Sequence, residues 1–294
     1  MTPDETRASI ADFVRFAVPE QIGTPVVHDE VRDEGFTRKA ISYTVDGETI
    51  EAFLFEPRGA RRGAVVALHQ HNSEWNLGKS EIAGVAGDRH QAFGPALALA
   101  GITVLAPDAI GFESRRASDG RFGYMNLAMH RLVRGELLMT RVLADVAAAV
   151  DILHGLTGKR VGILGHSYGG NIALFAAALD KRLAYACASG SACSYRHKLA
   201  HGTGLEMALV IPGFAAHFDL DDLMRCIAPR GLLVVSADRD PYSADADDLV
   251  ERARPAFADA GAEQNLQHIH VSGDHALDTA RFAAMVGWVV AQYV

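Results

Sequence analysis

The feature that most constrains this chain is a stretch of nineteen residues without a charge, from Val161 to Leu179. Its length raises the question of a membrane span, which needs about 18 or more consecutive apolar residues. Histidine, serine, tyrosine, asparagine and several glycines interrupt it, so it does not have the composition of a span. The apolar run Val161 to Leu164 predicts a buried strand, and Asn171 to Leu179 predicts a helix. We therefore interpret the stretch as a strand, a tight glycine-rich turn and a helix.

The turn carries the pattern Gly-x-Ser-x-Gly, with Gly165 and Gly169 two residues to either side of Ser167. In so tight a turn, side chains at the two glycine positions would collide with neighbouring backbone, and the serine is strained so that its hydroxyl projects above the sheet. An ordinary glycine-rich turn could show the same letters. The strand, the helix and the residues downstream favour Ser167 as a nucleophile.

The rest of the chain predicts an α/β fold. Two strand-like runs, Ala40 to Val45 and Thr49 to Phe55, flank Asp46-Gly47 and predict an antiparallel hairpin. After it, short continuous apolar runs alternate with helix-length segments, which is typical of a parallel sheet covered on both faces. These runs are Ala64 to Leu68, Ile102 to Ala106, Val161 to Leu164, Ala184 to Ala188, Leu232 to Val235 and Leu266 to Val271. The pattern predicts a doubly wound, mostly parallel sheet with an antiparallel N-terminal hairpin.

No linker rich in proline, glycine or serine divides the chain, so we predict a single domain over residues 1–294. Residues 1–30 are expected to form an N-terminal helical extension, with a helix from Asp4 to Ala17. Two long segments, 111–141 and 189–225, are expected to cover the active site, although covering the sheet alone is an equally open interpretation.

A serine hydroxyl needs an imidazole base, and that base needs a carboxylate to fix its tautomer. His275 follows the last predicted strand, and Asp238 and Asp240 follow the strand before it. Both loops come at the carboxyl ends of strands, the edge where Ser167 must lie. We predict His275 as the base and Asp240 as the acid, because Pro241 favours an extended conformation at Asp240 that reaches outward. Asp238 is the alternative acid, or a residue that caps or braces this loop.

Backbone amides must stabilise the oxyanion that forms when the serine attacks a carbonyl. One donor is expected to be the amide of Tyr168, directly after the nucleophile. The other is expected from the loop after Leu68, where we choose the amide of His71; the neighbouring Gln70 and Asn72 stay open.

These residues resemble the α/β-hydrolase superfamily, in particular its branch similar to dienelactone hydrolases and acetyl xylan esterases. The stretches that carry the resemblance are LHQHNSEWNLGKSE (68–81), GITVLAPDAIGFESRR (101–116), VGILGHSYGGNIAL (161–174), LLVVSADRDPYS (232–243) and VSGDHALD (271–278). The resemblance implies a single α/β-hydrolase domain with Ser167, Asp240 and His275 as its triad. Dienelactone hydrolases proper use a cysteine nucleophile, whereas residue 167 is serine, and Gln70 stands where glycine is usual.

Composition restricts the partners. Lys and Arg total 28 against 36 Asp and Glu, a formal charge of −8, which gives no cationic surplus for nucleic acid or an anionic membrane. Three cysteines, an odd count without Cys-x-x-Cys spacing, make a disulfide framework improbable. The N-terminus has acidic residues and no cationic flank before an apolar stretch, unlike a secretory signal, so we expect a cytoplasmic protein. No dinucleotide-binding or P-loop motif is present, so no cofactor is expected. The sequence leaves the oligomeric state open.

Several histidines and cations have a second possible use. The pairs His69/His71, His197/His201 and His268/His270 have spacings that could bind zinc, but loop position and strand alternation favour structural roles, so no metal is expected. Four cations could bind a substrate carboxylate, although solvated surface charges are commoner: Lys79, Arg115, Arg116 and Arg196.

Together, these residues predict a cofactor-independent serine hydrolase that cleaves small-molecule carboxylic esters through an acyl-enzyme. A histidine base must be neutral to accept the proton, so activity is expected to rise through about pH 6 to 8. One alternative is an acyltransferase or an enzyme that forms or cleaves amides with the same triad. Another is a binding protein of this fold without turnover.

Overall fold

The computed structural model describes residues 1–117 and 120–293. Nine strands form one sheet: β1 Val26–Arg32, β2 Phe36–Val45, β3 Glu48–Pro57, β4 Gly63–Leu68, β5 Ile102–Pro107, β6 Val161–His166, β7 Leu183–Ser189, β8 Gly231–Ala237 and β9 Leu266–Val271. The helices are α1 Pro3–Phe13, α2 Lys79–Ile82, α3 Phe93–Leu99, α4 Arg121–Val133, α5 Leu138–Thr157, α6 Tyr168–Leu179, α7 Tyr195–His201, α8 Leu220–Ile227, α9 Ala246–Asp259 and α10 Thr279–Ala291.

The strand order is β1-β2-β3-β5-β4-β6-β7-β8-β9. The first three strands and the β3–β5 pair are antiparallel, and all pairs from β5 to β9 are parallel. The predicted fold class is thus confirmed: a doubly wound, mostly parallel sheet with an antiparallel N-terminal part. Each of the six apolar runs read from the sequence falls within one of the strands β4 to β9.

Apolar residues cover both faces of the parallel strands β4 to β8, whereas the edge strand β9 is only partly buried. In β4, Ala64, Val66 and Leu68 belong to a core shared with α5, α6 and α8, whereas Val65 and Ala67 belong to a second core shared with α3 and α10. A strand buried on both faces has no polar side, which explains why these runs show no alternation.

The order of the central strands creates a crevice. β4 lies between β5 and β6, so the chain leaves β4 to one side and returns on its other side. At such a reversal, the loops after the two adjacent strands turn to opposite faces and leave a crevice at their carboxyl ends. The loop after β4 carries His71, and the turn after β6 carries Ser167.

The N-terminal region differs from the expectation. The first helix ends at Phe13 and not at Ala17, because Arg15 has a positive φ of 53°. The expected helical extension over 1–30 is wrong in its second half, where β1 occupies Val26–Arg32 and pairs with β2. All seven residues of β1 are exposed, so this edge strand has no buried face and no apolar pattern to reveal it.

No helix in residues 1–117 and 120–293 is long and apolar enough to cross a membrane.

Candidate active site

The turn after β6 has the strained geometry that the sequence predicts. Ser167 has φ 56° and ψ −118°, and its amide donates to the carbonyl oxygen of Ser189 at 2.7 Å. A Cβ at Gly165 would overlap the backbone of Gly169, and one at Gly169 would overlap the carbonyl oxygens of Leu68 and His69. Both glycines are therefore required for α6 to begin directly after the serine, against the end of β4.

Ser167, His275 and Asp240 are joined by two hydrogen bonds. Nε2 of His275 lies 2.8 Å from the Ser167 hydroxyl oxygen, and Nδ1 of His275 lies 2.9 Å from an Asp240 carboxylate oxygen. Burial raises the pKa of Asp240, but hydrogen bonds from His275, the Ser243 hydroxyl and the Tyr242 amide outweigh it and hold the pKa below its ordinary value. An ionised carboxylate in this position accepts a hydrogen bond from Nδ1–H and leaves Nε2 free for the serine.

Asp238 has a different partner from Asp240. Its carboxylate accepts hydrogen bonds from the Gly273 amide at 2.8 Å and from the Ser272 hydroxyl at 3.1 Å. It therefore braces the loop that carries His275, which is the second role considered for it from the sequence.

Sequence reasoning missed Arg281 on α10, whose side chain is fully buried. Its guanidinium donates to the carbonyl oxygens of Asp274 (2.8 Å) and Ala276 (3.3 Å) on either side of His275, and lies 3.7 Å from Asp240. It also donates to the Ser189 hydroxyl at 3.1 Å. The available signal was an arginine in an otherwise apolar C-terminal helix, where a buried cation needs partners.

His166 precedes Ser167 and packs against His275. Its ring centroid lies 5.0 Å from that of His275, and its Nδ1 lies 3.1 Å from the Ser189 hydroxyl oxygen. Burial lowers the pKa of His166 well below its ordinary value, so its ring is neutral. It therefore adds no charge beside His275.

The loop after β4 is fixed by its side chains. His69 Nε2 accepts from the Ala109 amide at 3.2 Å, and Gln70 donates to the Glu81 carboxylate at 3.0 Å. His71 lines the crevice, where its Nδ1 accepts from the Ser73 amide and burial lowers its pKa to about 4.

The two proposed oxyanion donors have no other acceptor. The amides of Tyr168 and His71 donate to no protein acceptor within the described chain, and the same is true of Gln70 and Asn72. Tyr168 is the first residue of α6, where the helix dipole favours a negative charge. The choice of His71 as second donor stays a prediction.

A cavity of about 580 Å³ opens over these residues. Its floor consists of Ser167, Tyr168 and His275 at the strand ends, and its roof consists of α4 and the segment 204–209. A hydrogen bond from the Tyr124 hydroxyl to the Glu206 carboxyl group joins α4 to the segment 204–209. The residues that line the cavity are His71, Asn72, Ser73, Trp75, Arg121, Tyr124, Met125, Ser167, Tyr168, Asn171, Gly190, Lys198, Gly204, Leu205, Glu206, Met207, Leu209, Tyr242 and His275.

Both segments expected to cover the site contribute to this lining. The first, 111–141, supplies Arg121, Tyr124 and Met125, all from α4. It also includes the first turn of α5, and its residues 118 and 119 lie outside the described part. The second, 189–225, supplies Lys198 and the segment 204–209, and its end already belongs to α8.

Three of the four cations suggested for a substrate carboxylate are instead held in ion pairs. Lys79 lies 2.7 Å from Asp108, Arg115 lies 2.5 Å from Asp145, and Arg196 lies 3.2 Å from Asp219. Arg116 is exposed. None of the four lines the cavity.

One group in the described residues could hold a metal ion. Asp247, His268 and His270 bring three potential ligand atoms within 4.8 Å of one another, on α9 and the edge strand β9. The Ser236 hydroxyl oxygen lies 2.7 Å from His268 Nε2 and 2.8 Å from His270 Nδ1. The Asp247 side chain is largely exposed. None of these residues lines the cavity.

Comparison with known proteins gives a family match. A model described as the alpha/beta hydrolase family matches residues 65–292. The Bacillus subtilis (strain 168) protein YtaP, which carries the provisional name of hydrolase, is 25% identical over 265 residues, 86% of this chain and 87% of the relative.

Solved structures share the fold at low sequence identity. A protein of Bacteroides fragilis NCTC 9343, provisionally named an acetyl xylan esterase, superposes with a TM-score of 0.73 at 15% identity, over 96% of this chain and 81% of that one. The glucuronoyl esterase from Solibacter usitatus superposes with a TM-score of 0.72 at 16% identity, over 98% of this chain and 92% of that one.

Proposed function

Because the chain belongs to the alpha/beta hydrolase family, we propose that it is a serine hydrolase that cleaves carboxylic esters of small molecules through an acyl-enzyme. The observation that supports this most is the hydrogen-bonded series Ser167–His275–Asp240 at the floor of an open cavity. A cavity of this volume suits a small-molecule substrate.

In the proposed reaction, the Ser167 oxygen attacks the ester carbonyl while Nε2 of His275 takes the hydroxyl proton. Asp240 stabilises the imidazolium that forms, and the free amides of Tyr168 and His71 donate to the oxyanion. Collapse of the tetrahedral intermediate breaks the bond to the leaving alcohol, which receives the proton from His275. Water then attacks the acyl-enzyme, with His275 again as the base, and releases the acid.

The test combines a fluorophosphonate probe, which labels activated serines, with hydrolysis of 4-nitrophenyl acetate. Wild type should be labelled and should turn over, whereas Ser167→Ala should lose labelling and at least about 1,000-fold in kcat. Ser9→Ala, at an exposed serine of α1, is the matched control and should behave as wild type.

Three results would contradict the proposal. Equal labelling of wild type and Ser167→Ala would exclude Ser167 as the nucleophile. Labelling of wild type without ester hydrolysis would favour transfer of the acyl group to another acceptor. Neither labelling nor turnover by wild type would favour a binding protein of this fold.

A further inference from the structure

Lys198 is a buried cation in the lining of the cavity that also contains the proposed catalytic serine. It lies on α7 and lines the same cavity as Ser167 and His275, yet only 3% of its surface is exposed. Its ammonium group donates one hydrogen bond, to the carbonyl oxygen of Cys193 at 2.8 Å. Asp245, Asp219 and Asp240 act on it only through space, without a hydrogen bond or ion pair to it within the described chain.

Such an ammonium group is incompletely satisfied. It has three N–H donors, of which the carbonyl of Cys193 takes one. A buried charge without a directly bonded counter-ion is unfavourable, and here burial lowers the pKa of Lys198 although Asp245, Asp219 and Asp240 act against the shift. An anion in the cavity would satisfy both the remaining donors and the charge.

Among the described residues, the rest of the cavity lining offers one acidic group, Glu206. Burial raises the pKa of Glu206 to about 7, and its oxygens already accept from the Tyr124 hydroxyl and the Ala208 amide. Arg121 adds a second cation to the lining. The described lining therefore combines two basic side chains with one carboxyl group that is only partly ionised at neutral pH, although the whole chain has a formal charge of −8.

We propose that Lys198 binds a free carboxylate of the substrate, so that the preferred substrates are esters that carry their own negative charge, such as half-esters of dicarboxylic acids. This inference rests on the proposed esterase function. A carboxylate held by Lys198 would lie in the same cavity as the ester group attacked by Ser167, and a charge-assisted hydrogen bond is the strongest kind of contact available there.

The test measures kcat/KM for two matched pairs of esters. One pair places the carboxylate on the acyl side, 4-nitrophenyl hydrogen glutarate against 4-nitrophenyl butyrate. The other places it on the leaving group, 4-carboxyphenyl acetate against phenyl acetate. The ratio of anionic to neutral substrate is taken in wild type and in Lys198→Met, so that differences in intrinsic reactivity cancel.

In at least one pair, the ratio should fall by about 10- to 100-fold in Lys198→Met, the usual effect of losing a hydrogen bond to a charged group. Turnover of the neutral esters should stay within about threefold of wild type, which separates binding from a general loss of structure. Lys181→Met, at an exposed lysine paired with Asp4, is the matched control and should leave both ratios unchanged.

A ratio that does not change in either pair would overturn the inference while leaving the esterase proposal intact. Absence of hydrolysis of all four esters, anionic and neutral, by wild type would instead contradict the esterase proposal itself.

If Lys198→Met does not fold, inhibition of wild type gives the same information. Glutarate should inhibit hydrolysis of 4-nitrophenyl acetate competitively, at a concentration at least about tenfold lower than the neutral diamide glutaramide. Equal inhibition by the two compounds would overturn the inference.

Discussion

The floor and the roof of the cavity are built by different means. On the floor, Ser167 and His275 follow strands of one sheet, and backbone hydrogen bonds and buried side chains hold each of them. The roof consists of α4 and the segment 204–209, joined through the side chains of Tyr124 and Glu206. This difference indicates that the sheet positions the proposed catalytic residues, whereas side-chain contacts in the covering segments determine the shape and charge of the cavity above them.

The largest effect on activity is expected from a change of the Asp240 carboxylate on the floor. Asp240→Asn should lower kcat by about 10³- to 10⁴-fold, because an amide in this position favours the wrong tautomer of the base. Asp238→Asn, two residues away on the same loop, should lower it by less than about tenfold, since Asp238 contacts only the Gly273 amide and nearby side chains. Steady-state kinetics on one neutral ester compares the two directly.

These variants are matched controls for each other, because they make the same chemical change on one loop. An equal or larger loss in Asp238→Asn would assign the orienting acid to Asp238 and reject the arrangement of the floor described above.

A smaller effect is expected at Arg281, which positions the loop of His275 without facing the cavity. Arg281→Lys keeps the charge but loses the fork of donors that joins Asp274, Ala276 and Ser189. We expect kcat to fall about 10-fold with KM nearly unchanged, because the base is displaced while the roof is not.

Arg254→Lys, at a partly exposed arginine paired with Glu251, is the control for the same substitution away from the cavity. A change in KM with kcat preserved would show that Arg281 acts on substrate binding and not on the base.

The smallest expected effect concerns the roof and depends on pH. The pKa of Glu206 is raised from its ordinary 4.5 to about 7, so its contribution to stability is complete below about pH 4.5 and is lost as the pH rises through 7. Glu206→Gln is neutral at every pH. When the pH rises from 5 to 8, the free energy of unfolding of the variant should therefore increase relative to that of wild type by on the order of 2 kcal/mol.

Urea unfolding at the two pH values measures this difference. Glu20→Gln removes an exposed carboxylate and serves as the control. A difference between Glu206→Gln and wild type that is the same at both pH values, or that moves in favour of wild type at pH 8, would contradict the raised pKa.

The parallel sheet and the turn at Ser167 are predictable because their signals are local. A strand buried on both faces needs a continuous apolar run, and a strand-to-helix turn this tight needs Gly165 and Gly169. The edge strand β1 was not predictable, since none of its seven residues is buried and its only support is pairing with β2.

The roles of the basic side chains, in contrast, could not be predicted from the sequence. Lys79, Arg115 and Arg196 have no feature in the sequence that separates them from Lys198, yet their ion pairs occupy them elsewhere while Lys198 lines the cavity. The ion-pair partners of Lys79, Arg115 and Arg196 lie 23 to 30 positions away in the chain, so no local pattern reports them.

The sequence by itself determined the fold class and the strained turn at Ser167, and it placed the candidate residues Asp238, Asp240 and His275 directly after predicted strands, because each of these follows from local spacing. Only the tertiary structure showed that Asp240 and not Asp238 hydrogen-bonds to His275, added Arg281 behind that loop, and placed the buried Lys198 in the lining of the cavity. The physical reason is that hydrogen bonds and charge burial depend on which side chains meet across the fold: the pairs His275–Asp240, Gly273–Asp238 and Arg281–Ser189 join residues 35 to 92 positions apart.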